Sequence, residues 1–121
     1  MEIFKTFTVE CAHHLPRVPE GHKCRRLHGH SIRIEVRVRG EPWICDFALV
    51  NKAFAPLHEQ LDLHYLNEIA GLENPTSESL ARWVWDRLEP RLPGLFRVVV
   101  HETCTSGAII EAAPALEQET R

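Results

Sequence analysis

The 121-residue chain is the length of one ordinary domain, and its 44% hydrophobic residues can build a single core that self-association is expected to complete. A formal net charge of -3 excludes a nucleic-acid binder that works through bulk positive charge. No stretch approaches the roughly 20 apolar residues of a membrane span, and the first residues lack the apolar segment of a signal peptide. A cytoplasmic location is therefore expected, with Cys11, Cys24, Cys45 and Cys104 as free thiols.

In chain order, the first strand is expected from Glu2 to Glu10, with Ile3, Phe7 and Val9 on one face. A loop rich in Pro, Gly, His and Arg follows, from about Leu15 to Leu27. From Ser31 to Arg39, Ile32, Ile34, Val36 and Val38 alternate strictly with polar residues, which predicts a strand with one buried face. Gly40, Glu41 and Pro42 read as a tight turn into a short strand over Trp43–Cys45. Asp46 can cap a helix whose apolar positions are Phe47, Val50, Phe54, Leu57 and Leu61, with Pro56 expected to bend or break it. Thr76 is the expected cap of a second helix, with Glu78 in its first turn and Leu80, Trp83, Val84 and Leu88 as its stripe. Two strands follow, Phe96–Val100 and Gly107–Ile110. The domain thus spans 1–111, with a loose tail over 112–121. This order predicts an α+β fold with helices on one face of an antiparallel sheet.

Eight histidines are many for this length, and their placement is informative. In extended chain His28 and His30 point to the same side, so both imidazoles can meet one metal, and Gly29 between them allows close approach of a ligand or chain segment. A third ligand can come from His13 or His14; spacing alone does not choose between them. Three imidazoles with no evident fourth ligand match a catalytic zinc with an open position. Ordinary polar loop residues are the plainer alternative. Cys24 lies among Lys23, Arg25 and Arg26, cations that favour a thiolate and suit a polyanionic substrate such as a triphosphate. It is either a proton-transfer or nucleophilic group, or a fourth ligand that closes a structural site.

The motifs Cys-Ala-His-His-Leu-Pro at 11–16 and Gly-His-Lys-Cys-Arg-Arg-Leu-His-Gly-His-Ser at 21–31 resemble the signature of the 6-pyruvoyltetrahydropterin synthase family. Leu-Asp-Leu-His-Tyr-Leu-Asn at 61–67, Glu-Asn-Pro-Thr-Ser-Glu at 73–78 and His-Glu-Thr-Cys-Thr-Ser-Gly at 101–107 fit it too, in order. The wording Pro-Glu-Gly-His-Lys-Cys is most similar to the bacterial branch that makes 6-carboxy-5,6,7,8-tetrahydropterin. The resemblance implies a tunnelling fold: a four-stranded antiparallel sheet with two helices, joined into a barrel and a hexamer built as a dimer of trimers. It implies His13, His28 and His30 as zinc ligands, Cys24 as the catalytic thiol and Glu102 as the anchor of the pterin ring. Lys23 and Thr76 join as substrate contacts, and Asp62 as part of the proton relay. The implied reaction is a lyase step on 7,8-dihydroneopterin triphosphate, giving the carboxy product in queuosine and deazapurine synthesis.

Two positions depart from the family pattern. Leu63 stands where the family has the relay histidine, and leucine can neither transfer a proton nor hydrogen-bond. His64 substitutes for it only if the local backbone departs from a regular extended chain. The family loop between Glu41 and Trp43 is also shortened to Pro42. The alternatives are a 6-pyruvoyl-type synthase, or a zinc-dependent pterin-binding protein whose catalysis is impaired by Leu63.

Overall fold

The computed structural model describes residues 1–41 and 46–113. The strand expected over Trp43–Cys45, the Pro42 turn and the tail beyond residue 113 lie outside the described residues. Ala112, placed in the loose tail from sequence, still donates its N–H to the Phe96 carbonyl at 2.8 Å.

Alternating patterns in the first third of the chain produce two twelve-residue strands, β1 (Glu2–His13) and β2 (His28–Arg39). They pair antiparallel without a bulge, from Glu2 opposite Arg39 to His13 opposite His28. Both are longer than expected at the histidine end. Backbone pairing continues through Cys11–His13 and His28–His30, whose side chains carry no hydrophobic alternation to announce it. Strand β4 (Leu95–His101) pairs antiparallel with β2, and β5 (Gly107–Glu111) with β4.

Among the described residues the sheet has five strands and is mixed, where the resemblance implied four antiparallel strands. The additional strand, β3 (His64–Tyr65), runs parallel to Cys11 and Ala12 at the edge of the sheet, and two residues are too few to show a period. Its placement comes from backbone geometry: Leu63 adopts φ 59° and donates its N–H to the Glu10 carbonyl, while Asp62 Oδ1 accepts from the Glu10 N–H at 2.9 Å.

Helix α1 (Phe47–Leu61) is capped by Asp46, whose carboxylate accepts from Ala48 N–H at 2.8 Å. Pro56, expected to bend or break the helix, sits within one continuous element. The neighbouring Val50, Ala53, Phe54, Leu57 and Leu61 are all buried, so packing offsets the hydrogen bond that proline omits. Phe54 is fully buried and stacks on Phe7 with centroids 4.0 Å apart; burying such a side chain contributes roughly 1.5–3 kcal/mol. Helix α2 (Ser77–Leu88) begins as expected, with Thr76 Oγ1 accepting from Ser79 N–H at 3.1 Å. It buries Leu80, Ala81, Trp83, Val84, Trp85 and Leu88 in the same core cluster as α1 and the inward residues of the sheet. The architecture is α+β. Among the described residues no helix is long and apolar enough to cross a membrane.

Gly94 connects the helical layer to β4. It has φ +89°, and a Cβ there would collide with the Arg39 carbonyl oxygen. The left-handed backbone alone costs an alanine about 1–2 kcal/mol. Gly94→Ala is expected to lower the midpoint of thermal or urea unfolding clearly; an unchanged midpoint would contradict this tight approach.

Candidate metal centre and adjoining cavity

The pairing of β1 with β2 decides which side chains meet. Val9, Cys11 and His13 share the inward face of β1 with their partners Ile32, His30 and His28 on β2. On β4, Val98 and Val100 point inward, and Glu102, two residues further, follows them just beyond the strand. At one end of the sheet the hydrophobic face thus gives way to three imidazoles and a carboxylate. His13, His28, His30 and Glu102 each offer a donor atom, and these atoms all lie within 4.8 Å of one another.

Backbone carbonyls set the tautomers. The Pro75 carbonyl accepts from His13 Nδ1–H at 2.9 Å, and the Arg26 carbonyl accepts from His28 Nδ1–H at 2.6 Å. A carbonyl cannot donate, so in the neutral rings the protons sit on Nδ1 and the Nε2 lone pairs turn inward. Those two Nε2 atoms are 3.0 Å apart. Two lone pairs facing at that distance repel unless a proton or a cation lies between them. His30 Nε2 is buried without a hydrogen-bond partner; Glu102 Oε1, 3.3 Å away, is within ion-pair distance but misaligned for a hydrogen bond. Converging lone pairs, an orphaned buried nitrogen and a nearby carboxylate fit a divalent cation. The nitrogen-rich set suits zinc among several first-row metals.

A cavity of about 490 Å³ opens beside the cluster, lined by Lys23, Cys24, His28, His30, Glu102 and the turn after it. Cys24 lies on a 3-10 turn over Lys23–Arg25, held by four hydrogen bonds. Its N–H donates to His22 Nδ1 at 3.0 Å, its carbonyl accepts from Leu15 N–H at 2.8 Å, and Arg25 donates to the Pro16 and Val18 carbonyls. Arg25 therefore ties down the loop, while Lys23 is the cation that faces the cavity. Cys24 stands outside the group of converging donor atoms.

The structure brings together His13, His28, His30, Glu102, Cys24 and Lys23. Asp62 and His64 are outside both the donor cluster and the cavity lining, whereas Thr76 lies between Pro75 and Ser77, which both bond the cluster. Asp62 holds the backbone of Glu10, His64 Nδ1–H faces the Asp62 carbonyl at 2.7 Å, and Thr76 caps α2. Leu63 is 80% exposed, and its left-handed turn breaks the regular extended chain around His64. His14 turns to Tyr65, whereas its neighbour His13 is among the converging donors. A Cβ at Gly29 would meet the Cys11 carbonyl oxygen at 3.7 Å, an ordinary contact among the described residues. Glu102 is a fourth candidate donor, which spacing did not suggest. Ser77 Oγ–H, in the first turn of α2, donates to Glu102 Oε2 at 2.8 Å.

Burial holds the His13 pKa below the ordinary value of 6.5, outweighing the raising influence of the Pro75 carbonyl, while the neighbouring imidazoles lower it further. Cys11, on the same face, is pushed up to about 12 by burial and by the carboxylates of Glu10, Asp62 and Glu102. Cys11, Cys24 and Cys104 are free thiols, and Cys45 lies outside the described residues.

The family profile described as 6-pyruvoyl tetrahydropterin synthase matches residues 2–113. The chain is 45% identical over 117 residues to a 6-carboxy-5,6,7,8-tetrahydropterin synthase of Synechocystis sp., covering 88% of this chain and 89% of that one. It is 38% identical over 71 residues to a dihydroneopterin monophosphate aldolase of Pyrococcus furiosus, covering 56% and 60%. In fold it is similar to the 6-pyruvoyl tetrahydropterin synthase of Caenorhabditis elegans, with TM-score 0.83 and 19% identity over 93% of this chain and 96% of that one.

The depressed His13 pKa makes metal-free stability pH-dependent. Near and below the unfolded value of 6.5, the unfolded chain binds more protons at this position than the folded one, so stability falls as pH falls. The thermal midpoint of metal-free protein is expected to drop between pH 7.5 and pH 5.5, and His13→Gln to flatten that slope. Equal slopes in the two proteins would contradict the assignment to His13.

Proposed function

The chain belongs to the 6-pyruvoyl tetrahydropterin synthase family and is an enzyme, a lyase acting on pterins; from that premise we propose which reaction it performs. Zinc held by His13, His28 and His30 serves the conversion of 7,8-dihydroneopterin triphosphate and water to 6-carboxy-5,6,7,8-tetrahydropterin, acetaldehyde and triphosphate. The reaction belongs to a cytoplasmic route toward queuosine and other deazapurines. The observation that carries this reading is the convergence of three imidazoles beside one cavity that also presents Cys24, Lys23 and Glu102.

Zinc held by these imidazoles would supply Lewis acidity that makes nearby hydroxyl and carbon-bound protons of the substrate easier to remove. The chain's own groups do the rest. Glu102 accepts hydrogen bonds from the amino-pyrimidinone edge of the pterin, with Ser77 holding Oε2 and so setting the angle of the carboxylate. Lys23 faces the triphosphate as a compact positive charge. Cys24 takes a proton from the side chain of the substrate and returns it. Its turn is pinned at Leu15, Pro16 and Val18, so the thiol is held on rigid backbone.

Asp62 and His64 lie apart from Cys24 in their own chain, and in this reading they serve the cavity of a neighbouring copy. Among the described residues, β3 pairs with Cys11 and Ala12 on the outer edge of β1, Glu2–Glu10 have no strand neighbour on that side, and β5 forms the opposite edge. Ring closure of subunits into a barrel, stacked as a hexamer, would cover both edges.

A second reading keeps the site but not the turnover. Leu63 is exposed and offers no acid–base group where the family pattern has histidine, and loss of such a group costs roughly a hundredfold to ten-thousandfold in rate. The protein would then bind pterin and turn over slowly. A pyruvoyl product, or aldolase-type cleavage like that named for the Pyrococcus furiosus relative, is distinguished by the product formed.

Mass spectrometry of zinc-loaded protein incubated with 7,8-dihydroneopterin triphosphate is expected to show 6-carboxytetrahydropterin and acetaldehyde. Intact substrate despite binding would favour the pterin-binding reading. Cys24→Ala is expected to abolish turnover with zinc still near one per chain; zinc lost with activity would make Cys24 a ligand and overturn its role.

A further inference from the structure

Asn67 follows β3 on a short 3-10 turn over Leu66–Glu68, and both ends of its side-chain amide are engaged. Oδ1 accepts from His14 N–H at 3.0 Å, and Nδ2 donates to the His14 carbonyl at 3.0 Å and to the Glu73 carbonyl at 3.3 Å. The first two bonds imitate a strand neighbour for His14, the residue just past the end of β1. The third grips the segment leading to α2.

That segment reaches the metal centre twice. The Pro75 carbonyl meets His13 Nδ1–H, and Ser77 Oγ meets Glu102 Oε2. Little freedom separates the grip from these contacts. Pro75 fixes its own φ and restricts Asn74, and the Glu73 carboxylate is itself tied to Gly71 N–H at 2.9 Å. Where the Pro75 carbonyl sits therefore depends on where Asn67 holds Glu73 against His14.

We infer that Asn67 is a positioning residue of the metal centre. It touches no candidate ligand atom. By clamping the end of β1 to residue 73, it keeps the Pro75 carbonyl on His13 and so sets the tautomer and angle of that ring; through Ser77 it also steadies Glu102. The inference rests on the zinc-site reading proposed above. Outer partners of this kind commonly change metal affinity about 10–100-fold when lost.

The discriminating variant is Asn67→Asp. It is nearly isosteric and keeps an acceptor for His14 N–H, but ionised it has no donor for the two carbonyls and sets a negative charge against them. Two quantities are measured where circular dichroism shows folded protein: the zinc dissociation constant, by competition with a chromogenic chelator, and the His13 Nδ1–H resonance of metal-free protein by NMR. The expected result is zinc bound about 10–100-fold more weakly, with the His13 proton lost to faster solvent exchange. A lowered thermal midpoint with unchanged zinc affinity and a retained proton would make Asn67 merely structural and overturn the inference. Should Asn67→Asp fail to fold, Asn67→Ser carries the same measurements. Failure of the unaltered protein to take up zinc would sink the metal-centre reading, and this inference with it, before any variant is compared.

Discussion

The register between β1 and β2 is the constraint on which the rest depends. Side chains alternate across a strand, so a slip of one residue would carry a whole inward set to the other face. Here that set runs from Ile3 to His13 on one strand and from Val38 to His28 on the other. Val9, Ile32, Ile34, Val36 and Val38 are buried against α1, α2 and β4, and their burial makes any slip costly. The imidazoles need no local device to find each other. Hydrophobic residues further along the same strands decide their meeting, so core stability and site geometry are one property of the sheet.

What the site adds is a conflict that the core alone would not tolerate. Placing His13 at the end of an apolar face removes it from water, which favours its neutral form. Carbonyls from Pro75 and Arg26 then orient two of the rings so that their lone pairs meet. In a purely structural cluster these groups would be arranged to bond one another. Here two lone pairs converge as they would for an acceptor of electron pairs, and among the described residues His30 Nε2 has no hydrogen-bond partner. The arrangement resembles many functional sites in being locally unfavourable and globally supported.

Strict alternation made β2 readable from its residues, and capping chemistry made both helix starts readable at Asp46 and Thr76. The motif resemblance singled out His13, where spacing alone left His14 equal. Three features escaped the sequence for physical reasons. Strand β3 is two residues long and owes its place to the left-handed backbone at Leu63, which no residue type there announces. Pro56 was read as a breaker because local rules do not register the packing that holds α1 together. Glu102 as a neighbour of the imidazoles required the pairing of β4 beside β2, a long-range fact without a local pattern. Basic residues misled in the opposite way: Arg25 counted as part of a cationic patch, yet its guanidinium is spent on loop carbonyls.

Cys11 has a consequence for chemical selectivity. It lies directly opposite His30, on the face that carries the donor nitrogens, close enough to feel the Glu102 carboxylate. A thiolate there would offer soft sulfur beside the imidazoles and draw thiophilic ions such as Cu(I). Burial among three carboxylates keeps it as a thiol instead, neither a strong ligand nor a ready target of oxidants. The fold thus places a small hydrophobic filler next to the donor set while withholding its sulfur from coordination. Among the described residues, Cys24, on its anchored loop, is the sulfur at the wall of the cavity that holds Glu102 and Lys23.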